Sequence, residues 1–277
     1  MKNIIHLCII SAALIFTVGC AKKDRPVLGD YPKDANPPGG PLKFYTAFDG
    51  ATSDPLMNAV DSIRATFPSE NPLASTTGIS GKGIQGDATK AIKYPSANDF
   101  KGSTSCTISM WVNNTVNPNT ELYFSLAAPV ADYWHGSAAF LLVEHAAVDK
   151  CTFKFALQDK WVEYTNQSFT KPLFNGQWHH LAFTYDETTS KLRIYFDGVE
   201  VPTPGTSGTL MDGANPLGKL DLTNATNLVV SGWNKQANIE GPTDAWISGF
   251  TGKMDQFRLY GKALTASEVL ALYNSKL

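Results

Sequence analysis

The chain has almost no excess charge of either sign. Its 277 residues carry 23 Lys+Arg and 25 Asp+Glu, a formal net charge of −2. Residues 1–19 hold one Lys, so without them the balance is 22 against 25 and the charge −3. Such a balance lacks the basic footprint of a nucleic-acid binder or of a protein held by charge on an anionic membrane. Histidine is scarce, five in all, and no His-x-His or His-x-x-x-His spacing sets two rings toward one ion. No P-loop occurs, and no repeat at solenoid or propeller periods. Cysteine is limited to Cys8, Cys20, Cys106 and Cys151. The one long apolar run, Ile4 to Val18, is too short and too early for a stable spanning helix.

What that run does offer is a secretory signal, a basic Lys2 followed by an apolar stretch. It ends in Thr17-Val18-Gly19-Cys20, which resembles the bacterial lipobox, with Thr17 standing where that pattern prefers Leu. The resemblance implies a signal peptide over residues 1–19 and lipidation of Cys20. Acyl chains there would anchor the protein through buried methylenes. Residues 20–40, rich in Pro and charge, read as an extended tether. The expected location is that of an exported lipoprotein at the outer membrane or cell surface. An exported chain meets an oxidising compartment, so a disulfide between Cys106 and Cys151 is allowed. Two buried, inert thiols are the alternative.

Residues 41–277 suit one large β domain. Trp178 to Val201 is its organising stretch. Leu181, Phe183 and Tyr185 alternate with Ala182 and Thr184, and Leu192, Ile194 and Phe196 alternate with Arg193 and Tyr195. A period of two in aromatic and β-branched residues marks strands with one face in a core. Asp197-Gly198 supplies a tight type I′ turn, and Val199 to Val201 starts the return strand. Further strands are expected at Leu42–Phe48, in pairs within Ile79–Tyr94, and at Thr107–Val112, Leu122–Ala127, Ala139–Glu144, Cys151–Leu157, Leu228–Ser231 and Phe250–Leu259. Lys160 to Tyr164 reads as a short strand or turn, and 202–219 and 235–249 as long loops. Asp54 to Thr66 has helical spacing. Thr265 to Tyr273 is a helix with a capping box, Thr265 with Glu268.

Four segments carry a family resemblance. They are WHHLAFTYD…LRIYFDGVEV at 178–201, SGKGIQGDATKAIKYP at 80–95, TISMWV at 107–112 and FTGKMDQFRLYGKALTASEVLALYNSKL at 250–277. Together they resemble the laminin-G-like, concanavalin-A-like lectin/glucanase jelly rolls. The resemblance implies an all-β sandwich of two antiparallel sheets with a short C-terminal helix. It also implies a structural calcium ion between the end of the first strand and the closing strand, at Asp49 and Asp255, with a carbonyl from Gly86. It implies little about function, because this fold carries enzymes, lectins and adhesion modules alike.

Catalysis on this fold needs two carboxylates about 5 Å apart for a retaining glycanase. The related laminarinase-type enzymes carry theirs as Glu-x-Asp-x-x-Glu on one strand. No such run exists here, and Glu144 and Glu163 stand alone on their strands. His179 and His180 are adjacent, so their rings point to opposite faces and do not share an ion. Sugar binding is better supplied. Sugar C–H faces stack on aromatic rings, and polar side chains take the hydroxyls. Tyr133, Trp134 and His135 fall in one loop, Trp233 and Asn234 follow a strand, and Asp244 and Trp246 lie in a third segment. The expected function is a non-catalytic, envelope-anchored binding module for a glycan or glycoprotein. The competing class is a structural or protein-interaction subunit of a surface complex, meeting other envelope proteins.

Overall fold

The computed structural model describes residues 40–49, 72–128, 133–205 and 208–276. The expected signal peptide, Cys20, almost all of the expected tether and the helical spacing at 54–66 lie outside them. Seventeen strands follow one another among the described residues. They are β1 (Leu42–Thr46), β2 (Ala74–Thr77), β3 (Lys82–Gln85), β4 (Ile92–Tyr94), β5 (Cys106–Thr115), β6 (Thr120–Ala127), β7 (Ala139–Ala147), β8 (Lys150–Leu157), β9 (Lys160–Phe169) and β10 (Asn175–Asp186). After these come β11 (Lys191–Phe196), β12 (Val199–Val201), β13 (Met211–Asp212), β14 (Asn215–Pro216), β15 (Asn227–Val230), β16 (Ile247–Gly249) and β17 (Lys253–Tyr260). Among the described residues two short α-helices join them, α1 (Tyr133–Gly136) and α2 (Ala266–Ser275).

The strands form two large sheets. The first runs β12-β11-β10-β5-β17-β3-β2, with β1 also paired to β17. The second runs β4-β15-β6-β7-β8-β9, with β16 paired to β6. The expected jelly-roll sandwich is what forms. β10 sits inside the first sheet because its alternation holds over most of its length. It pairs β5 from Asn175↔Thr115 to Tyr185↔Cys106 and β11 from Leu181↔Phe196 to Asp186↔Lys191. Leu181, Phe183 and Tyr185 then enter the core between the sheets, where Phe183 stacks on Phe155 of the second sheet at 4.3 Å. Burying each such aromatic contributes roughly 1.5–3 kcal/mol. Asp197 and Gly198 both have positive φ, 52° and 76°, as a type I′ turn demands.

The outer face of the first sheet is closed by α2. Thr265 caps it: the Glu268 N–H donates to Thr265 Oγ1, and the Thr265 N–H donates to the Glu268 carboxylate. Val269 and Leu272 pack on Leu42, Tyr45, Ala182 and Tyr195, and Tyr273 stacks on Trp111 at 5.5 Å. Beneath the helix His180 is fully buried. Its Nε2 meets Ser109 Oγ at 2.9 Å, and burial depresses its pKa to about 3. His179 points the other way and meets Asp197 Oδ2 and Asn175 Oδ1. The two rings are parts of the framework, on opposite faces as the strand period requires.

At Lys160–Tyr164 the strand alternative holds, as the start of ten-residue β9. Other expectations need correction. Within 202–219, read as a loop, β13 pairs with β14. The segment 235–249 is not all loop, because β16 pairs in parallel with β6 through Ile247↔Thr120. Cys106 and Cys151 are free and buried. They stand on β5 and β8, in different sheets, and burial pushes both thiols up to about 12. The disulfide does not form, and the inert-thiol alternative holds.

Candidate functional site

The outer face of the second sheet is unusually apolar at one end. On β7, Ala139, Leu141 and Val143 face the core, so Phe140 and Leu142 face outward. Across the pairs Phe140↔Ala156 and Ala156↔Trp161, the outward row continues into β9. Outward apolar residues need a cover, and three segments distant in sequence supply it. Trp233 lies at the floor, fully buried with Phe140, Leu142 and Ile247. Trp134 of α1 rests on Trp233, centroids 4.3 Å apart. Trp246 then stacks on Trp134 at 5.6 Å with an interplanar angle of 10°. Trp161 meets Trp134 from the other side at 6.3 Å.

The depth of each ring decides its role. Trp246 is 48% exposed while Trp233 is 0% exposed. Trp246 borders a cavity of about 350 Å³ that also meets Thr89, Asn119, Lys235, Gln236 and Ser248. The Lys235 ammonium donates to the carbonyls of Asp244, at 2.7 Å, and Ile247, at 3.2 Å, and so clamps the chain on both sides of Trp246. Gln236 Oε1 accepts from the Trp233 N–H at 3.2 Å. The exposed ring is therefore held by hydrogen bonds to its backbone rather than left to swing.

Of the residues expected to bind a ligand, Trp134 and Trp246 come together as required. Trp233 converges with them but is sealed beneath and has no exposed surface of its own. Asn234 is also fully buried, donating from Nδ2 to the Glu240 carbonyl at 2.8 Å, which braces its loop. Asp244 is exposed and contributes its carbonyl to the Lys235 clamp. His135 is exposed at the end of α1. The Tyr133 side chain lies outside the described residues. Sequence reasoning missed Trp161, although a signal was present. Val162 and Tyr164 are in phase with the core, so Trp161 between strand neighbours had to face outward.

Glu144 and Glu163 are lone carboxylates along their own strands, yet the sheet brings them together. β7 and β9 flank β8, whose Lys154 places Nζ 2.8 Å from Glu144 and 3.9 Å from Glu163. Both carboxylates therefore share one ammonium as ion-pair partner.

Asp49 and Asp255 also meet, against the turn joining β2 and β3. Asp49 Oδ1 accepts from the Lys82 N–H at 2.5 Å, and Asp255 Oδ2 accepts from the Ile79 N–H at 2.9 Å. A Cβ at Gly78 would collide with Asp255, and one at Gly81 with Asp49, so glycine is required there for the backbone to approach both acids. Asp255 Oδ1 is buried without a hydrogen-bond partner. Burial is the main cause that raises the Asp255 pKa, to about 8, and the neighbouring Asp49 charge adds to it. An orphaned carboxylate oxygen beside a second carboxylate, cradled by backbone, fits a hard cation with oxygen ligands. Among the described residues no three His, Cys, Asp or Glu side chains converge, so any such ion needs backbone carbonyls as well. Gly86 does not join the two acids. It stands past the opposite end of β3, donating to the Gly252 carbonyl at 2.8 Å.

With this geometry in hand, similarity to known proteins is informative. Residues 86–270 match the model of the concanavalin A-like lectin/glucanases superfamily. The chain belongs to that superfamily. Within it the match is to the laminin-G-like group, the class of jelly roll that the four sequence segments had pointed to. No curated protein matches it by sequence. Among solved structures, it is similar to domain 4 of AbnA, an extracellular arabinanase of Geobacillus stearothermophilus, solved with arabinotriose. The TM-score is 0.54 at 20% identity, covering 84% of this chain and 98% of that one. The receptor-binding domain of a botulinum neurotoxin C/D mosaic serotype gives a TM-score of 0.56 at 11% identity, covering 85% of this chain and 51% of the other. A Trypanosoma rangeli sialidase in complex with a difluorinated sugar acid gives 0.52 at 14%, covering 88% and 35%. These identities establish a shared fold, found in enzymes and binding domains alike.

Proposed function

We propose that this protein is a non-catalytic glycan-binding module, anchored to the cell envelope through a lipidated Cys20. The observation that carries the reading is Trp246. A half-exposed indole, stacked on Trp134, fixed by Lys235 and set beside a polar cavity, has the chemistry a sugar ring needs. The arabinotriose in the similar arabinanase domain supports a sugar as the class of ligand on this fold. The non-catalytic part rests on the absence of a Glu-x-Asp-x-x-Glu run in the sequence and on Glu144 and Glu163, which are tied to one Lys154 as ion-pair partners. The test is a glycan-array screen of the full chain against Trp246→Ala. Binding that survives the substitution removes the site, no binding at all shifts the weight to a protein partner, and release of reducing sugar overturns the non-catalytic reading. Fatty-acid labelling lost in Cys20→Ser checks the anchor.

The same reading includes a structural calcium ion held by Asp49, Asp255 and backbone oxygens of the β2–β3 turn. Its support is the partnerless buried oxygen of Asp255. When bound, the ion would supply the positive charge these two carboxylates lack. A melting temperature indifferent to both chelator and calcium would exclude it.

A further inference from the structure

We propose that the binding surface does not stop at the tryptophans but continues across β7, β8 and β9 into a second subsite, and that it takes a neutral glycan chain rather than an acidic one. This rests on the reading of Trp246 as a sugar platform.

The second subsite is a cavity of about 450 Å³ on the outer face of the sheet, lined by Glu144, His145, Thr152, Lys154, Asn166 and Gln167. Two irregularities build it. β7 loses register between Glu144 and Ala147, with His145 at φ 49°. β9 loses register opposite Cys151 and Phe153, with Asn166 and Gln167 at φ 53° and 59°. A bulge in each strand flanking β8 leaves β8 as the floor of a depression. Gln167 closes its far end, donating from Nε2 to the His145 carbonyl at 2.8 Å and from its N–H to Thr152 Oγ1 at 3.1 Å. Three non-glycine residues in the left-handed region around one cavity is strain of about 1–3 kcal/mol each, which tends to gather at functional sites.

The cavity opens on the same outer face of the sheet as the platform. Trp161 and Glu163 are two residues apart on β9 and on one face, about 7 Å along the strand. On the other flank, Ile247, next to Trp246, pairs with Thr120, whose hydroxyl donates to Glu144 at 3.4 Å. The row runs from Trp246 over Trp134 to Trp161 in centroid steps of 5.6 and 6.3 Å, and on along β9 to Glu163 beside Lys154. Its charge sets the ligand class. Glu144 and Lys154 line the cavity, and Glu163 stands beside it toward Trp161, 3.9 Å from the Lys154 ammonium, so two carboxylates share one ammonium along this stretch of the face. Surplus carboxylate oxygens accept from sugar hydroxyls and repel uronate or sialate groups.

Calorimetric titration of the full chain tests this, using arabino-, xylo- and gluco-oligosaccharides of two to six sugars and oligogalacturonates of the same lengths. Glu163 has a side chain 42% exposed, so its variants fold. In Glu163→Gln, affinity for the preferred neutral hexasaccharide should fall about tenfold, the value of one hydrogen bond to a charged group, with disaccharide binding unchanged. Glu163→Lys should lose the neutral chain similarly and narrow the gap to oligogalacturonate at least tenfold. If Trp246→Ala abolishes binding while both Glu163 variants keep wild-type hexasaccharide affinity and selectivity, the second subsite is wrong and the platform stands. A wild-type disaccharide affinity equal to that of the hexasaccharide also overturns the extension alone. No binding of any neutral probe overturns the platform and the subsite together.

Discussion

The two outer faces of the sandwich are built from similar materials and end in opposite states. Each carries a tryptophan-centred aromatic cluster with polar groups among it. Over the first sheet, α2 lies on Trp111, Tyr195 and His180 and seals them. Over the second, short loops deliver Trp134, Trp233 and Trp246 edge by edge and leave one ring half in water. A helix covers its face along a continuous stripe. Loops entering from separate points cover theirs in patches, and the gaps between patches are cavities. The aromatic residues are the raw material in both places, and the cover decides which set becomes a site.

Breaking each half of this comparison should have a different signature. The largest effect falls on buried supports. Trp233→Ala should cost about 3–5 kcal/mol of stability, read by denaturant unfolding, whereas Trp246→Ala should cost less than about 1 kcal/mol while abolishing glycan binding. Equal stability losses for the two would erase the distinction between floor and platform.

Next is the sealed face. The folded-state pKa of His180 is depressed, mainly by burial and secondarily by Arg258, against the opposing charge of Asp197. A base with a lowered folded pKa contributes stability that is full above its unfolded value of about 6.5. That stability is lost as pH falls from there toward the folded value of about 3. Unfolding free energy should therefore drop by roughly 1.4 kcal/mol per pH unit in that window, and His180→Gln should flatten the slope. An unaltered slope would mean that other groups control acid unfolding.

Smaller again is the ion. Calcium at a hundredfold excess over its dissociation constant should add about 2.7 kcal/mol, or roughly 5–10 °C in melting temperature for a domain of this size. Asp255→Asn should abolish the response. The smallest test is on α2, where Thr265→Ala removes the cap and should cost about 1 kcal/mol without affecting binding at the opposite face.

Much of this was legible in order along the chain. β10, its turn at Asp197-Gly198 and β11 follow from a two-residue period and one glycine, and α2 from Thr265 and Glu268. These are local signals, set by neighbours within a few residues, and the family resemblance of the same segments carried the fold. Asp49 and Asp255 were named by that resemblance too, and the structure sets them together at the Gly78–Gly83 turn. The composition of the platform was half legible: Trp134, Trp233 and Trp246 could be picked out as loop aromatics, but nothing in their spacing ranks one as floor and another as surface.

What remained hidden depends on register and cover. Glu144, Lys154 and Glu163 lie on three strands, and only the pairing of Lys154 with Glu163 across β8 and β9, beside β7, makes them neighbours. β16 is three residues that become a strand because β6 offers a free edge at Thr120. Cys106 and Cys151 stay apart because their strands belong to different sheets. The sequence by itself determined the longer strands with a clear two-residue period, which faces of them are apolar and the turns marked by glycine, since backbone sterics and burial act locally. The tertiary structure alone decided which outward residues meet and which stay wet, because those contacts join positions far apart in the chain and exist only once both sheets have closed.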